Sequence, residues 1–184
     1  MRVGTNRHVY PTTIRRMKKV IQLIMVISLF LLAAFLGVNI YRKIAAKHIA
    51  ERNTSVLPSF SFLTVDNKPF SNASITDVNS KIIINYFNPS CEHCQYMAKS
   101  YVKHANQVND VSLIMVTIAD SVSVSKFRND YHLDTVHSIT LLRDTKFQFE
   151  KIFGTGMVPC FFIYKDRKLL KKIVGETKIE NLLN

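Results

Sequence analysis

The chain has 184 residues, which is enough for one domain of ordinary size and an additional segment. Its formal net charge is +12, and most of that charge lies at one end. Residues 1–56 contain ten Lys/Arg and one acid, whereas residues 57–184 contain fifteen Lys/Arg and twelve acids. A basic excess confined to the first third argues against a nucleic-acid-binding protein.

An uncharged run of 22 residues, Val20–Tyr41, lies between the basic residues. A helix of that length spans about 30 Å, the thickness of the hydrocarbon core of a bilayer. The run has no polar stripe, unlike a helix of a soluble domain. It is longer than the apolar part of a usual signal peptide, and no cleavage site of small residues follows it. We therefore predict an uncleaved transmembrane anchor over residues 20–41.

The charged flanks predict the orientation of this anchor. Six Lys/Arg precede the run, four of them within Arg15–Lys19, and four follow it over residues 42–52. The denser positive flank stays in the cytoplasm. We expect a cytoplasmic tail over residues 1–19, a juxtamembrane stalk over 42–56, and a domain over 57–184 on the periplasmic side of the inner membrane. Disulfides persist in that compartment.

Short apolar runs alternate with helical patterns over residues 57–184. The predicted strands lie in Pro58–Phe70 (a hairpin turned at Asp66–Lys68), Lys81–Phe87, Val111–Ala119, Ser138–Leu142 and Cys160–Gly175 (a hairpin turned at Asp166–Arg167). The predicted helices cover 94–108, Ser123–Leu133, Thr145–Phe153 and Lys178–Leu183. This alternation predicts an α/β fold with a mixed sheet flanked by helices.

The segment NPSCEHCQYM contains Cys91 and Cys94, two of the three cysteines. Cys91 lies between a buried strand and an amphipathic helix, where free backbone N–H groups and the helix dipole favour a thiolate. Cys94 lies one turn further, on the apolar face of the helix, within reach of Cys91 for a disulfide. We predict a redox pair in which Cys91 attacks a partner's disulfide and Cys94 resolves the mixed disulfide.

Other uses of a C-x-x-C motif fit the sequence less well. Haem attachment requires His directly after the second cysteine, where Gln95 stands. A structural zinc site commonly needs a second cysteine pair, which the sequence lacks. A metal site completed by histidines stays open, and the candidates are His93, His104, His132 and His137.

Pro159 opens a predicted strand, and Val158 before it is restricted to an extended conformation. A strand, a C-x-x-C motif at a helix start and a Val-Pro pair opening a terminal hairpin together resemble the thioredoxin fold. The resemblance is closest to the membrane-anchored TlpA/ResA-like branch of the AhpC/TSA-related redoxins. That branch shares the P-x-F-x-L…D-x-K pattern of Pro58–Lys68 and the strand KIIINYF. The resemblance covers essentially everything after the stalk.

The resemblance implies roles for the matching residues. Cys91 would be the nucleophile and Cys94 the resolving thiol. Val158 and a cis Pro159 would form a loop facing them, whose backbone pairs with the substrate. The chain departs from the pattern at two positions. Asn85 stands where thioredoxins have a buried Asp, and Met97 stands where ResA-like proteins have a Glu.

The two residues between the cysteines are expected to tune the pair. His93 as an imidazolium stabilises the Cys91 thiolate and makes the disulfide a stronger oxidant, as in the DsbA enzymes, which carry His at this place in the motif. Glu92 acts in the opposite direction, because an adjacent anion opposes thiolate formation. Glu92 is also the nearby candidate for a carboxylate base.

Further residues around the motif have structural or functional interpretations. Cys160, beside Pro159, is a core residue or else a third redox thiol or metal ligand. The aromatic residues around the motif are expected to pack in the core, with exposed docking as the alternative for Phe87. These residues are Tyr86, Phe87, Tyr96 and Tyr101.

The sequence thus predicts a membrane-tethered thiol–disulfide oxidoreductase that reduces or exchanges disulfides in exported proteins. It needs no cofactor by this interpretation, and its electrons come from a membrane partner, because no nucleotide or flavin signature is present. Two alternatives stay open. One is a peroxiredoxin-like thiol peroxidase using Cys91, although the expected Thr shortly before that cysteine is missing. The other is a non-enzymatic copper or zinc carrier using the same cysteines.

Overall fold

A computed structural model describes residues 12–75 and 81–183 of the chain. The chain divides after Ala46 into two compact units. Residues 1–11, which belong to the predicted cytoplasmic tail, lie outside the described residues.

The first unit contains most of helix α1. This helix begins at Thr12 and ends at Asn53. Its segment Lys19–Arg42 has a mean hydropathy of 2.6, and none of it is buried inside the protein. Apolar side chains such as Phe30 and Tyr41, each 74% exposed, cover this segment all round. A helix of this length and composition is able to cross a bilayer.

The second unit is built on a seven-stranded mixed sheet. Its strands are β1 (Ser61–Thr64), β2 (Pro69–Ser71), β3 (Ile82–Tyr86), β4 (Ser112–Thr117), β5 (Ile139–Arg143), β6 (Cys160–Lys165) and β7 (Lys168–Val174). The strand order is β2-β1-β5-β4-β3-β6-β7. β3, β4 and β5 are mutually parallel, and the remaining pairs are antiparallel. The predicted mixed α/β architecture is confirmed.

Helices cover both faces of this sheet. They are α2 (Glu92–Lys103), α3 (Ala105–Val108), α4 (Ser121–Asp130), α5 (Phe149–Phe153) and α6 (Ile179–Leu183). Buried side chains of α2, α4 and α6 form one core with Ile83, and those of α5 form a second core with Ile84. Every residue of β3 is buried because successive side chains enter opposite cores. This is why the run KIIINYF is apolar apart from Lys81, which precedes the strand, and Asn85.

The structure shortens two of the predicted helices. The pattern over residues 94–108 is interrupted at His104, whose φ of −114° and ψ of 32° separate α2 from α3. The helix expected from Thr145 begins only at Phe149, after a turn in which Phe147 has a φ of 54°. It ends at Gly154 in the left-handed conformation, as predicted.

Candidate active site

The motif follows β3 through a tight loop, residues 87–90. The N–H of Cys91 donates to the carbonyl of Asn88 at 3.0 Å, and the N–H of Ser90 donates to Oδ1 of the same residue at 2.9 Å. From the first turn of α2, Nε2 of Gln95 donates to the carbonyl of Pro89 at 2.9 Å. The loop therefore holds Cys91 at the N-cap of α2, where the sequence predicts it. Its side chain is partly exposed.

Cys94 lies in the first turn of α2 and is only 1% exposed. Burial raises the pKa of its thiol to about 12. The N–H of Asn88, which donates to Sγ at 3.5 Å, opposes this rise, and a hydrogen bond with the Cys91 side chain adds to it. The two thiols are therefore adjacent and chemically different. Cys91 is open to a partner, and Cys94 is shielded and protonated at neutral pH.

The Val158–Pro159 peptide bond is cis, as the resemblance implies. Pro159 directly precedes β6, in which Cys160 is paired with Tyr86, the last residue of β3. The proline therefore lies at the end of the sheet from which the motif loop departs. Val158 and Cys91 both pack at the edge of the same core. Met157, directly before Val158 in the chain, is 61% exposed.

A buried polar network borders the core that contains Cys94. Asn85, 1% exposed, donates through Nδ2 to the carbonyls of Tyr86 and Cys160, each at 3.2 Å. Its Oδ1 accepts a hydrogen bond from the fully buried hydroxyl of Tyr101 at 3.1 Å. Burial raises the pKa of Tyr101 well above its ordinary value, and the nearby Cys94 contributes to the rise. This network is neutral at the position where thioredoxins have a buried acid.

The segment Gly175–Thr177 contacts both the loop at Pro159 and the motif helix α2. The N–H of Gly175 donates to the carbonyl of Pro159 at 2.8 Å, and the N–H of Thr177 donates to Sδ of Met97 at 3.5 Å. Met97 is 1% exposed, so this position is part of the core rather than a site for a charged group. Glu176 lies between these two hydrogen-bonded residues, and its Oε2 is 2.7 Å from Nδ1 of His93.

Several residues of this site were not predicted from the sequence. Asn88 and Gln95 shape the motif loop, and Glu176 pairs with His93. An Asn-Pro pair before the first cysteine is a turn signal that could have indicated the role of Asn88. Glu176 lies 83 positions from His93, and no local pattern connects them.

The structure decides the two aromatic residues differently. Phe87 packs in the core at 1% exposure, and the alternative of an exposed docking residue is wrong, because its ring packs on Phe127 of α4 with centroids 5.1 Å apart. Tyr96, expected in the core, is 54% exposed. It lies two positions after Cys94, which places it on the other side of the helix.

Cys160 occupies the opposite face of the sheet from Cys94. It is fully buried in the second core with Tyr86 and Phe162, and burial raises the pKa of its thiol to about 12. This position makes it a core residue and separates it from the redox pair. Glu92 is exposed in the first turn of α2, where the helix dipole favours an acid.

Within residues 12–75 and 81–183, the structure brings together no group of three or more His, Cys, Asp or Glu side chains that could hold a metal ion. His93, the imidazole nearest to the cysteines in sequence, is engaged with Glu176. The donor set that a copper or zinc carrier requires is therefore incomplete within the described part of the chain.

Comparison with known proteins identifies the family. The profile of the AhpC/TSA family matches residues 54–173. No curated protein matches the chain.

Three solved structures illustrate the fold. The solution structure of a thioredoxin-type protein from Neisseria meningitidis is 27% identical, covers 70% of this chain and 85% of its own, and superposes with a TM-score of 0.57. DsbF of Mycobacterium tuberculosis is 21% identical, with coverages of 71% and 92% and a TM-score of 0.57. Peroxidoxin BcpB of the same organism is 16% identical, with coverages of 69% and 88% and a TM-score of 0.57. The chain belongs to the AhpC/TSA family, and its second unit has the thioredoxin-like fold of these structures.

Proposed function

We propose that the protein reduces or exchanges disulfides in extracytoplasmic proteins, with Cys91 as the nucleophile and Cys94 as the resolving thiol. The observation that carries this proposal is the difference between the two adjacent sulfurs. Cys91 is partly exposed at the N-cap of α2, whereas Cys94 is buried and protonated. Only the former is accessible to a substrate disulfide.

The reaction proceeds by two exchanges. The Cys91 thiolate attacks one sulfur of a substrate disulfide, forming a mixed disulfide and releasing the other sulfur as a thiolate that takes up a proton. Cys94 then loses its proton and attacks the Cys91 sulfur, which releases the second substrate thiol. The substrate gains two electrons and two protons, and the enzyme is left with a Cys91–Cys94 disulfide. A partner dithiol must return two electrons for the next cycle.

The loop at Val158 is the surface on which the substrate backbone docks. Because the carbonyl of Pro159 is already bonded to Gly175, pairing with an extended substrate segment falls to Val158. The exposed Met157 side chain supplies an adaptable apolar contact beside it. Backbone pairing makes substrate choice depend little on side-chain identity, which suits an enzyme that acts on many disulfides or dithiols.

The helix α1 tethers this domain to a membrane. The apolar segment Lys19–Arg42 supports a single-pass anchor, and the dense basic flank at Arg15–Lys19 supports a cytoplasmic N-terminus. The domain then lies in the periplasm, where substrate disulfides form. Its electron donor is a membrane protein whose thiols face the same side.

A peroxidase is the second candidate, because the AhpC/TSA match includes the whole motif. Peroxide reduction would use the same Cys91 and yield the same disulfide. The residues directly before Cys91 are Pro89 and Ser90, and the Thr expected in a peroxidatic site is absent. A peroxide-consumption assay of the reduced protein distinguishes this activity from disulfide exchange.

The proposal is tested with the two single variants Cys91→Ser and Cys94→Ser. In a reaction with a disulfide-containing protein, Cys94→Ser should accumulate a mixed disulfide through Cys91, since the resolving thiol is gone. Cys91→Ser should accumulate none. Equal trapping by both variants, or by neither, would contradict the assigned roles.

A further inference from the structure

Basic side chains cluster at the end of the sheet where β3 begins. We call this cluster the basic end, and it consists of Lys81, Lys165, Arg167, Lys168 and Lys171. The strand register brings them together, because Ile82 pairs with Tyr164 and Lys165 pairs with Lys168. Burial lowers the pKa of Lys81, and the charges of Lys165 and Lys171 lower it further, as expected for neighbouring cations. The nearby acids are Asp110, before β4, Asp166 in the hairpin turn, and Glu180 on α6, where the carbonyl of Asn181 accepts a hydrogen bond from Lys171.

The chain enters the domain at this same end. The N–H of Leu57 donates to the carbonyl of Arg167 at 2.7 Å, and the N–H of Leu169 donates to the carbonyl of Ser55 at 2.9 Å. Val56 forms an antiparallel bridge with Lys168. The segment Ser55–Leu57 is therefore fixed along the β6–β7 hairpin. Only residues 43–54 separate it from the apolar segment that ends at Arg42.

The redox pair lies at the opposite end of the sheet. β3 begins directly after Lys81, at the basic end, and ends at Tyr86, beside Pro159. The motif loop follows it. Five strand residues span on the order of 15 Å. The charges at the redox end are mixed, with Glu92, Asp120, Asp144 and Glu176 beside Arg143, Lys146 and Lys178. Positive charge is thus concentrated at the end of the domain along which Ser55–Leu57 is fixed.

We propose that the basic end docks on anionic lipid headgroups of the membrane that holds the anchor, so that Cys91 faces away from the bilayer. This inference rests on the proposed membrane anchor. Lysines on an edge strand also prevent edge-to-edge association, which accounts for Lys168 and Lys171 on β7. It does not account for Lys165, which ends the interior strand β6. Lys81, before the interior strand β3, has a contact of its own within the domain, because its Nζ donates to the carbonyl of Leu183 on α6. Lys and Arg side chains that cluster at one end of a domain are attracted to an anionic lipid surface.

The test uses the full chain in lipid nanodiscs, made of phosphatidylcholine alone or of equal parts phosphatidylcholine and phosphatidylglycerol. A water-soluble amine-acetylating reagent reports the accessibility of each lysine by mass spectrometry. Acetylation of Lys165, Lys168 and Lys171 should be at least about threefold slower on the anionic nanodiscs, and high salt should remove the difference. Lys99 and Lys146, on α2 and after β5, serve as internal controls and should react equally on both lipids.

A matched pair of variants separates charge from folding. Docking should also slow amide hydrogen exchange in β7 on the anionic nanodiscs. Replacing Lys165, Lys168 and Lys171 by Gln should abolish this slowing. The same change at Lys99, Lys126 and Lys146 should leave the slowing intact, and both variants should retain disulfide exchange. Equal acetylation on the two lipids, or equal loss in both variants, would overturn the docking alone. Failure of the chain to enter nanodiscs would overturn the anchor as well, whereas the thiol chemistry is judged by the cysteine variants.

Discussion

The hydroxyl of Tyr101 donates a hydrogen bond of 3.1 Å to Oδ1 of Asn85, and both side chains are buried in the layer that contains Cys94. The amide of Asn85 is fully engaged, because its Nδ2 binds two backbone carbonyls. In the proposed reaction Cys94 loses a proton when it resolves the mixed disulfide, and an amide cannot accept that proton. The acceptor in the proposed reaction therefore lies outside this network.

Replacing Asn85 by Asp should accelerate that step. A carboxylate at this position would accept a hydrogen bond from Tyr101 and could take the Cys94 proton, with a gain of about tenfold to a hundredfold at neutral pH. The decay of a preformed mixed disulfide on Cys91 measures the rate. Asn85→Ser is the control, since it is polar but not basic. An Asp variant that is no faster than the Ser variant would show that the proton leaves by another route.

The same substitution should lower stability. A buried carboxylate is less favourable than a hydrogen-bonded amide, and we expect a loss of about 1–3 kcal/mol in the free energy of unfolding. Denaturant titration near neutral pH measures it. The loss should diminish as the pH falls and the carboxylate becomes protonated.

The buried thiols predict a loss of stability at alkaline pH in the reduced protein. Burial raises the pKa of Cys94 from its ordinary 9.0 to about 12, so the folded state keeps a proton that the unfolded state releases. The stabilisation is complete below pH 9 and is lost as the pH rises toward 12. The slope is at most about 1.4 kcal/mol per pH unit for this thiol. The difference in the free energy of unfolding between the unmodified chain and Cys94→Ala isolates this effect. The difference should be constant below pH 9 and should fall in favour of the variant above it.

The pair between His93 and Glu176 should make the disulfide a weaker oxidant. Glu176 places a negative charge against the imidazole at 2.7 Å and so opposes the effect of His93 on the Cys91 thiolate. Because both side chains are largely exposed, the effect is modest. At pH 5.5, Glu176→Gln should shift the equilibrium with glutathione toward the dithiol by roughly twofold to fivefold. Glu180→Gln, on α6, should not change it.

The role of His93 in that shift is separable. In a chain that already carries His93→Gln, the Glu176 substitution should have little further effect. An equal shift with and without His93 would mean that Glu176 acts directly on the thiolate rather than through the imidazole.

Cys160 should be dispensable for the reaction. It lies in the second core, on the opposite face of the sheet from Cys94, with no exposed surface. Cys160→Val should keep the rate of disulfide exchange within about twofold, with a change of about 1 kcal/mol in stability from repacking. A loss of exchange with an unchanged unfolding midpoint would instead assign it a redox role.

Local patterns in the sequence predict most of the fold. β3, β4 and β6 are recognisable because strands buried on both faces are apolar at nearly every position, with Asn85 as the exception in β3. The turn at Asp166 and Arg167, with φ of 52° and 62°, follows from the short polar break between two apolar runs. The break of the motif helix at His104 was not predictable, because the apolar spacing continues through Val108.

The contacts that complete the site join residues distant in sequence. Asn85 meets the carbonyl of Cys160, and His93 meets Glu176, only after the sheet has aligned β3 with β6 and β7. Helical periodicity correctly placed Cys94 and Tyr101 in the core. The burial of Phe87 could not be decided from the sequence, because it depends on α4, a helix that follows in the chain and packs over the motif loop.

The most direct test is a redox titration of the full chain with mixtures of reduced and oxidised glutathione, quenched with an alkylating reagent and mapped by mass spectrometry. We predict that Cys91 and Cys94 lose their thiols together in a single two-electron transition and are recovered as one linked peptide, with Cys160 alkylated only after unfolding. Independent alkylation of Cys91 and Cys94 at every potential, or a disulfide that includes Cys160, would contradict a Cys91–Cys94 redox pair.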